Sequence, residues 1–293
     1  MSQLFQNITF DNKKFIIMRD DLSHPIFSGN KARKLAYILK LPQDFKHIKT
    51  IVSFGGNQSN FMYALSQLAK LMGWHFEYWV KPLPKFLASS PNGNLQLSLK
   101  NGMQLQTTQE EMTLDNIKSK YNNSDGLYFF DQGGRDNNAE IGIRELATEI
   151  KNYCLDNNIK QYTVIVASGT GTTALYLEKH LPNKVYTVAC VGDNKYLKQQ
   201  FNSVDSTIAH PQILQNKSKT NFGQLNVDFY NIYKKLLLET DIEFDLLYDP
   251  TTWIYMLDSY NQLPKPIIYI HCGGTSGNIT MLNRYKRATN IPI

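Results

Sequence analysis

The stretch YTVIVASGTGTT, residues 162–173, decides the fold class of this chain. Its first part, Tyr162 to Ala167, is rich in β-branched residues and predicts a buried strand. A glycine-rich loop follows, and the spacing from Thr173 to His180 predicts a helix. A strand, a tight loop and a helix in this order form the repeating unit of a parallel α/β sheet. The stretch therefore predicts an α/β protein.

The loop at residues 168–173 is also a candidate phosphate site. Its glycines allow close approach of the backbone, its hydroxyls can donate, and the free N–H groups at a helix start attract an anion. One alternative is an ordinary glycine turn with a threonine cap. Another is a dinucleotide fingerprint, in which Gly169, Gly171 and Ala174 precede Asp193 by about 20 residues. Such a fingerprint usually follows the first strand, and here it lies past the middle of the chain.

The rest of the chain repeats the alternation of strands and helices. The other predicted strands are Lys49–Phe54, His75–Val80, Met103–Thr107, Leu127–Phe130, Val185–Val191 and Pro266–His271. One further predicted helix ends at Met72, and three others span Asn94–Lys100, Ala139–Tyr153 and Asn226–Glu239. We expect two domains with parallel-sheet cores: a small one at residues 46–132, and a large one formed by residues 1–45 and 133–293. The cleft between two such lobes is a natural ligand site.

The composition is that of a folded protein. Hydrophobic residues make up 42% of the 293 residues and charged residues 19%, far from the profile of a disordered chain. No apolar run approaches the roughly 20 residues that cross a bilayer. The first ten residues lack the basic flank and the apolar stretch of a signal peptide. We therefore expect a cytoplasmic protein without a membrane partner.

Charge and metal-ligand patterns exclude two further classes. The formal charge of +6 comes from 31 basic and 25 acidic residues, and the basic residues are scattered, so no nucleic-acid stripe is predicted. Three cysteines without a C-x-x-C pair argue against a disulfide framework and a thiolate zinc site. The six histidines form no His-x-x-x-His pair. We expect no metal.

A lysine beside a turn is the first candidate for covalent chemistry. Lys31 ends the string Ser28-Gly29-Asn30-Lys31, and Arg33 and Lys34 follow it closely. Burial or cationic neighbours would lower the pKa of its amine enough for Schiff-base chemistry. The alternative is a solvated lysine at a helix start. The string also fits the S-x-x-K of acyl-enzyme hydrolases, but neither S-D-N nor K-T-G follows it.

Two more glycine-rich loops carry polar side chains. Residues 55–60, Gly-Gly-Asn-Gln-Ser-Asn, can bind a carboxylate through N–H groups while Ser59 and Asn60 point into the cleft. The alternative is that Ser59 or Asn60 merely caps the following helix. The predicted strand Pro266–His271 opens into a second such turn, and His271 and Cys272, taken alone, are better explained as core residues.

In this order, the motifs resemble the pyridoxal-phosphate family that contains 1-aminocyclopropane-1-carboxylate deaminase and D-cysteine desulfhydrase. That family has the tryptophan synthase β-like fold, pyridoxal-phosphate fold type II. The segment from Arg19 to Leu35 is similar to its cofactor-lysine segment, and residues 55–60 are similar to its substrate-carboxylate loop. The resemblance continues through Gly133-Gly134 with Gly142, Glu145 and Leu146, through residues 170–173 and through residues 271–274.

The resemblance implies a role for each matching residue. Lys31 would carry pyridoxal 5'-phosphate as an imine and then move protons at the substrate carbon. Ser59 would contact the substrate and assist proton transfer, and Asn60 would hydrogen-bond the phenolic oxygen of the cofactor. The phosphate would be held by Thr170, Gly171, Thr172 and Thr173. The substrate would be bound by Asn57, Gln58, Ser59 and Asn60.

The segment after Asp249-Pro250 departs from the family pattern. The family has a catalytic tyrosine there, and the deaminases follow it with a glutamate beside the ring nitrogen; this chain has Thr252 and Trp253 at those places. Cyclopropane opening that relies on that pair is therefore not expected. Tyr248 and Tyr255 are the candidates to replace the missing phenol.

Cys272 becomes the expected partner of the ring nitrogen. It stands where desulfhydrase-like members have a small hydroxyl residue. A neutral partner leaves the nitrogen unprotonated, which weakens electron storage and favours β-elimination over racemisation or transamination.

The resulting hypothesis is a pyridoxal-phosphate-dependent lyase or deaminase that acts on a small amino acid. The favoured reaction is D-cysteine desulfhydrase-like β-elimination, which gives pyruvate and ammonia. The alternatives are a 1-aminocyclopropane-1-carboxylate deaminase and a catalytically degenerate relative that binds the cofactor. A more distant alternative, a nicotinamide-dependent oxidoreductase, would use Gly169, Gly171 and Asp193 instead of Lys31. We expect a homodimer because the family tends to form one.

Overall fold

The computed structural model describes residues 4–27, 29–214 and 221–288 and arranges their strands in two sheets. Ser28 of the predicted lysine segment lies outside the described residues. The strands are β1 (Phe5–Phe10), β2 (Lys13–Met18), β3 (Thr50–Phe54), β4 (His75–Val80), β5 (Met103–Thr107), β6 (Leu127–Phe129), β7 (Thr163–Ser168), β8 (Val185–Ala189), β9 (Gln212–Ile213) and β10 (Ile267–Ile270).

Eleven α-helices connect and cover these strands in the described part of the chain. They are α1 (Asn30–Lys40), α2 (Asn60–Met72), α3 (Lys85–Ser89), α4 (Gly93–Lys100), α5 (Leu114–Lys118), α6 (Glu140–Asp156), α7 (Thr172–His180), α8 (Asn194–Asp205), α9 (Val227–Thr240), α10 (Asp249–Asp258) and α11 (Asn278–Arg287). By the criterion of length and apolar character, none of the helices in the described ranges can span a membrane.

The two sheets are almost entirely parallel. The larger has the order β1-β2-β10-β7-β8-β9, and β1 is its one antiparallel member. The smaller has the order β5-β4-β3-β6 and is parallel throughout. The predicted α/β class with parallel-sheet cores is confirmed. The division into domains at residues 45/46 and 132/133 stays a prediction.

The larger sheet is buried on both faces, as parallel sheets usually are. Val164 and Val166 of β7 point into one core with the inner faces of α6 and α7. Ile165, between them, points to the opposite core, which contains Trp253 and Tyr269. Each fully buried aliphatic side chain contributes about 1.5–3 kcal/mol, so both faces hold the sheet in place.

The sheet topology brings the two ends of the chain together. Ile16 of β2 pairs with Ile268 of β10, and Ile268 also pairs with Val164 of β7. Because these strands are parallel, the loops that follow them all emerge at one edge of the sheet. The loop before α1, the turn after β10 and the glycine loop after β7 are thus neighbours.

Close packing of α1 on α6 holds the first of these loops. A Cβ added to Gly142 would lie 2.1 Å from the carbonyl oxygen of Arg33 and 2.7 Å from Cβ of Ala36. Arg33 also pairs with Glu149 of α6 and with the buried Asp20, at 2.7 and 2.8 Å. The absence of a side chain at residue 142 therefore sets the distance between the two helices.

Gly142→Ala should lower the free energy of unfolding by about 1–3 kcal/mol, because the new methyl group has no room against the backbone of α1. Thr148→Ala, at an exposed position of the same helix, should change it by less than about 0.5 kcal/mol. Urea unfolding of the three proteins measures both. Equal stability of G142A and the wild type would contradict the packing described here.

Candidate active site

A cavity of about 530 Å³ lies where the loops from both sheets meet. Small-molecule sites usually span about 300–1,000 Å³. Its wall contains every residue to which the family resemblance assigns a cofactor or substrate contact, namely Lys31, Asn57, Gln58, Ser59, Asn60, Thr170, Gly171, Thr172, Thr173 and Cys272. The structure therefore brings together four motifs that are far apart in the sequence.

Lys31 is the second residue of α1 and faces the cavity. Gly29 precedes the helix with φ of +56°, and a Cβ there would lie 1.9 Å from the carbonyl oxygen of Cys272. The N–H of Asn30 donates to that same carbonyl oxygen at 3.3 Å. Only glycine permits this contact, which fixes the start of α1 against the turn after β10.

The amine of Lys31 lies in a protein environment that disfavours its charge. Its Nζ donates to Oδ1 of Asn30 at 2.5 Å, and Nδ2 of Asn30 donates to Oγ1 of Thr173 at 3.2 Å. Burial lowers the pKa of Lys31, and the carboxylate of Asp245 opposes that effect. A lysine with a lowered pKa has a larger share of the neutral, nucleophilic amine.

Burial, rather than the cationic neighbours, is the cause of this lowered pKa. Arg33 is neutralised by Asp20 and Glu149. Lys34 is buried, and its Nζ donates to the carbonyl oxygen of Gly133 at 2.8 Å. Burial lowers the pKa of Lys34 well below its usual value, and the charge of Lys31 lowers it further. The wall therefore contains two lysines, of which Lys34 already has a backbone acceptor.

The glycine loop after β7 presents an uncapped helix start. Helix α7 begins at Thr172 without a side-chain cap, so its first N–H groups remain available to an anion. Gly171 has φ of +73°, and a Cβ there would lie 2.4 Å from the ring of Phe201. The hydroxyls of Thr170 and Thr172 are 3.2 Å apart. This geometry favours the phosphate interpretation over a threonine-capped turn.

Asp193, the acidic residue of the dinucleotide alternative, lies outside the cavity wall. It is exposed and caps α8, since its Oδ1 accepts from the N–H of Tyr196 at 2.8 Å. The acidic residue that the dinucleotide alternative requires therefore does not line the site.

The loop at residues 55–60 both caps a helix and lines the cavity. Oγ of Ser59 accepts from the N–H groups of Phe61 and Met62 at 3.2 and 3.3 Å, so Ser59 caps α2, and it also lines the cavity. The amide of Gln58 is bound to the α4 region, with Oε1 accepting from the N–H of Asn94 and Nε2 donating to the carbonyl oxygen of Asn92. The side chain of Gln58 thus anchors the loop.

Asn60 is held by two residues that the motifs did not include. Its Nδ2 donates to Oδ2 of Asp245 at 3.2 Å, and its Oδ1 accepts from Nδ2 of Asn94 at 2.8 Å. Oδ1 of Asp245 accepts from the N–H groups of Leu247 and Tyr248 at 2.7 and 2.9 Å. These contacts fix the orientation of the Asn60 amide. Neither Asn94 nor Asp245 belongs to a pattern that sequence reasoning could have found.

Cys272 and His271, adjacent in sequence, have different environments. Cys272 lines the cavity, and burial raises the pKa of its thiol, so it is neutral. His271 is fully buried; its ring stacks on Phe244, its Nε2 is 2.9 Å from the carbonyl oxygen of Glu243 and its Nδ1 accepts from the N–H of Gly273. His271 is therefore a core residue, as its simpler interpretation predicted.

The two positions at which the chain departs from the family pattern, Thr252 and Trp253, lie in the core rather than in the cavity wall. Thr252 is buried and bonds to the carbonyl oxygen of Tyr248. Trp253 is buried among the rings of Phe10, Phe15, Phe244 and Tyr269. Of the two candidate phenols, Tyr248 lines the cavity, whereas Tyr255 is buried in the core.

Asp249 is a wall residue that the prediction of the ring-nitrogen partner did not consider. Its Oδ2 accepts from the N–H of Asp245 at 2.8 Å, and its Oδ1 accepts from the hydroxyl of Tyr269. Burial, together with the charge of Asp245, raises the pKa of Asp249 well above its usual value. A carboxyl that favours the neutral form thus lies in the same wall as the thiol.

Asp245 should make the stability of the protein depend on pH. Burial raises its pKa to about 6, whereas an aspartate in an unfolded chain titrates near about 3.9. The folded state binds the proton more tightly, so the contribution of Asp245 is most favourable below about pH 4 and is lost as the pH rises through about 6. Asp245→Asn removes this titration.

The free energy of unfolding of D245N should therefore rise relative to that of the wild type by about 2 kcal/mol between pH 4 and pH 7. Urea unfolding of both proteins at several pH values measures the difference, in which titrating groups distant from residue 245 cancel. A difference that does not change with pH would contradict the assignment.

Comparisons with known proteins place this geometry in context. No family model matches the chain. A Thermotoga maritima protein named for 1-aminocyclopropane-1-carboxylate deaminase is 24% identical over 286 residues, which cover 89% of this chain and 88% of that protein. The Arabidopsis thaliana bifunctional D-cysteine desulfhydrase/1-aminocyclopropane-1-carboxylate deaminase is also 24% identical, covering 89% of this chain and 72% of that protein.

Solved structures share the fold. The crystal structure of a 1-aminocyclopropane-1-carboxylate deaminase homologue has a TM-score of 0.77 at 19% identity and covers 95% of this chain and 92% of that chain. A hydrogen sulfide-producing enzyme from Fusobacterium nucleatum has a TM-score of 0.64 at 14% identity, with 93% and 96% covered. Together with the sequence relatives, they confirm the predicted fold class and the predicted resemblance to the 1-aminocyclopropane-1-carboxylate deaminase and D-cysteine desulfhydrase family.

Proposed function

We propose that the chain is a pyridoxal-phosphate-dependent lyase or deaminase for a small amino acid, with D-cysteine desulfhydrase-like β-elimination as its favoured reaction. The observation that carries the proposal is the position of Lys31. Its amine, with a lowered pKa, lies in the wall of one cavity together with the uncapped start of α7 and the loop at residues 57–60. One covalent group and two anion sites are what a phosphorylated aldehyde and an amino acid require.

The residues of the wall fit pyridoxal phosphate. The N–H groups and hydroxyls of residues 170–173 offer donors for its phosphate, and Gly133 packs so close that a Cβ there would lie 2.8 Å from Thr170. Asn60 is oriented by Asp245 and Asn94 to meet a phenolic oxygen. When bound, the cofactor supplies an electron-accepting ring for the charge released at the substrate α-carbon.

Lys31 and Ser59 have different roles toward the substrate. The N–H groups and side chains at residues 57–60 orient the substrate carboxylate, and Ser59 contacts the substrate from the cap of α2. Nζ of Lys31 holds or moves the proton at the α-carbon, which the lowered pKa of its amine favours. Loss of the β-substituent and hydrolysis then give pyruvate and ammonia.

The neutral groups near Cys272 support elimination as the favoured reaction. Burial keeps the thiol of Cys272 protonated and also raises the pKa of Asp249. Thr252 and Trp253 are in the core, so neither can act in the cavity. A neutral partner at the ring nitrogen favours loss of a good leaving group over racemisation or transamination.

A second candidate function is the deaminase reaction, and the observation that favours it is Tyr248. Its phenol lies in the cavity wall, 3.5 Å from where a Cβ of Gly169 would be. Burial raises the pKa of Tyr248, so it stays protonated and can donate to a leaving carbon. A homodimer, based on the family resemblance, and a cytoplasmic location, based on the sequence, complete the proposal.

Lys31→Ala should abolish covalent attachment of the cofactor. Purified wild type should be yellow, and borohydride should fix pyridoxal phosphate onto Lys31, as peptide mapping by mass spectrometry would detect. Lys34→Met is the matched control, because it removes the other cavity lysine and should leave the label on residue 31. The proposal would be contradicted if the wild type took up no cofactor, or if borohydride fixed the cofactor onto Lys34.

Cys272→Ser should preserve pyruvate formation within a few-fold, since a neutral hydroxyl replaces a neutral thiol. Cys272→Asp should lower it at least tenfold, because a carboxylate would hold a proton on the ring nitrogen and change the reaction that is favoured. Pyruvate release from a panel of D- and L-amino acids measures this. Absence of pyruvate from every member would instead indicate a degenerate relative that binds the cofactor.

A further inference from the structure

One face of α11 forms a part of the cavity wall that the proposed function does not use. Thr280, Arg284 and Arg287 all line the cavity. Their spacing of four and then three residues places them on the same face of the helix. The three side chains therefore form a row along the cavity.

The row begins at the substrate-carboxylate loop. The hydroxyl of Thr280 donates to Oε1 of Gln58 at 3.4 Å and to Oδ1 of Asn92 at 3.3 Å. Arg284 is four residues further along α11, a rise of about 6 Å, and Arg287 is about 10 Å along. The backbone positions of the two arginines thus lie one to two helical turns beyond the residue that contacts the loop.

Neither arginine has a carboxylate partner within the described ranges. Nη1 of Arg284 contacts Sδ of Met281 at 3.1 Å, and the guanidinium of Arg287 lies 5.9 Å from the ring centroid of Phe86. By contrast, Arg33 and Arg135 both pair with carboxylates.

The charge of the wall is one-sided. Its basic side chains are Lys31, Lys34, Arg284 and Arg287; because burial lowers the pKa of both lysines, the positive charge of the wall is carried mainly by the two arginines. Among the described residues of the wall, Asp249 is the one acid, and burial raises its pKa well above the usual value. The cavity therefore attracts anionic ligands, and the cofactor phosphate and one carboxylate do not account for the arginine end.

The surroundings of the arginines strengthen this attraction. Phe86 and Phe222 are exposed at the same part of the wall, and Met281 is buried beside Arg284. A second cavity of about 380 Å³ shares Phe86, Arg284 and Arg287 with the first, so these side chains form the rim between the two. An ion pair beside apolar side chains is screened less than one in open water.

We propose that Arg284 and Arg287 bind a second anionic group, on the side chain of the amino-acid substrate. This inference rests on the proposed function and narrows its substrate class to acidic amino acids with a side-chain carboxylate, sulfonate or phosphate. The α-carboxylate occupies the loop at residues 57–60, and the second anion reaches the α11 row. Arg284, half-buried and nearer to the loop, makes the main contact.

The test compares matched ligand pairs on the cofactor-loaded protein. Each pair differs in the distal anion: phosphoserine and serine, cysteate and serine, aspartate and asparagine, each in both enantiomers. Calorimetry gives the dissociation constants, and the visible absorbance of the cofactor reports occupancy of the site. We expect at least one anionic member to bind at least tenfold more tightly than its neutral counterpart.

Arg284→Gln should raise the dissociation constant of that anionic ligand by about ten- to a hundredfold. It should change the dissociation constant of the neutral counterpart by less than twofold. Lys286→Gln is the matched control, because it removes one charge from the same helix at an exposed position outside the wall. It should leave both ligands within twofold. Arg284→Lys, which keeps the charge, should restore part of the affinity and guards against misfolding of the glutamine variant.

Cofactor uptake by each protein, read from absorbance, separates the two proposals. If the wild type takes up no pyridoxal phosphate, the proposed function and this inference both fail. If the loaded wild type binds the members of every pair equally or binds none, or if R284Q weakens both members alike, only the arginine site is overturned.

Discussion

The contact between the start of α1 and the turn after β10 is the constraint on which the rest of the site depends. Gly29 lies so close to the carbonyl oxygen of Cys272 that a methyl group would be 1.9 Å from it. The parallel pairing of β2 with β10 makes this contact possible, because the loops after both strands emerge at the same edge. It places Lys31 in the cavity beside Cys272. The glycine loop after β7 reaches the same edge through the pairing of β10 with β7.

Burial then sets the chemistry of the groups that this topology brings together. It lowers the pKa of Lys31, and it raises the pKa of Asp245, Asp249 and Cys272. Lys31, Asp245 and Asp249, which would be charged in water, are thus shifted towards their neutral forms, as the low dielectric of a protein interior dictates. Hydrogen bonds also fix the orientation of polar groups: the amide nitrogen of Asn60 donates to Asp245, and its amide oxygen accepts from Asn94.

Much of this arrangement could be predicted from the sequence, because strands and glycine loops have local signatures. The predicted strands at His75–Val80 and Met103–Thr107 match the observed bounds, and the residues expected to contact cofactor or substrate lie in one cavity wall. Asn94, Asp245 and Arg284 could not be predicted, since they come from segments without a motif and meet the site only through tertiary packing. Trp253 shows the converse: it departs from a motif that is catalytic in the family, and its side chain lies in the core. No pattern in the sequence predicted the strands β1, β2 and β9 or the helices α3, α5, α8, α10 and α11.

The central claim is that one cavity binds pyridoxal phosphate between the start of α7 and the amine of Lys31. A crystal structure of the protein with the cofactor tests it most directly. The account predicts the phosphate within hydrogen-bond distance of the N–H groups of residues 170–173, the aldehyde carbon bonded to Nζ of Lys31 and the phenolic oxygen beside Asn60. Cofactor bound to Lys34 or outside this cavity, or a phosphate distant from α7, would contradict it.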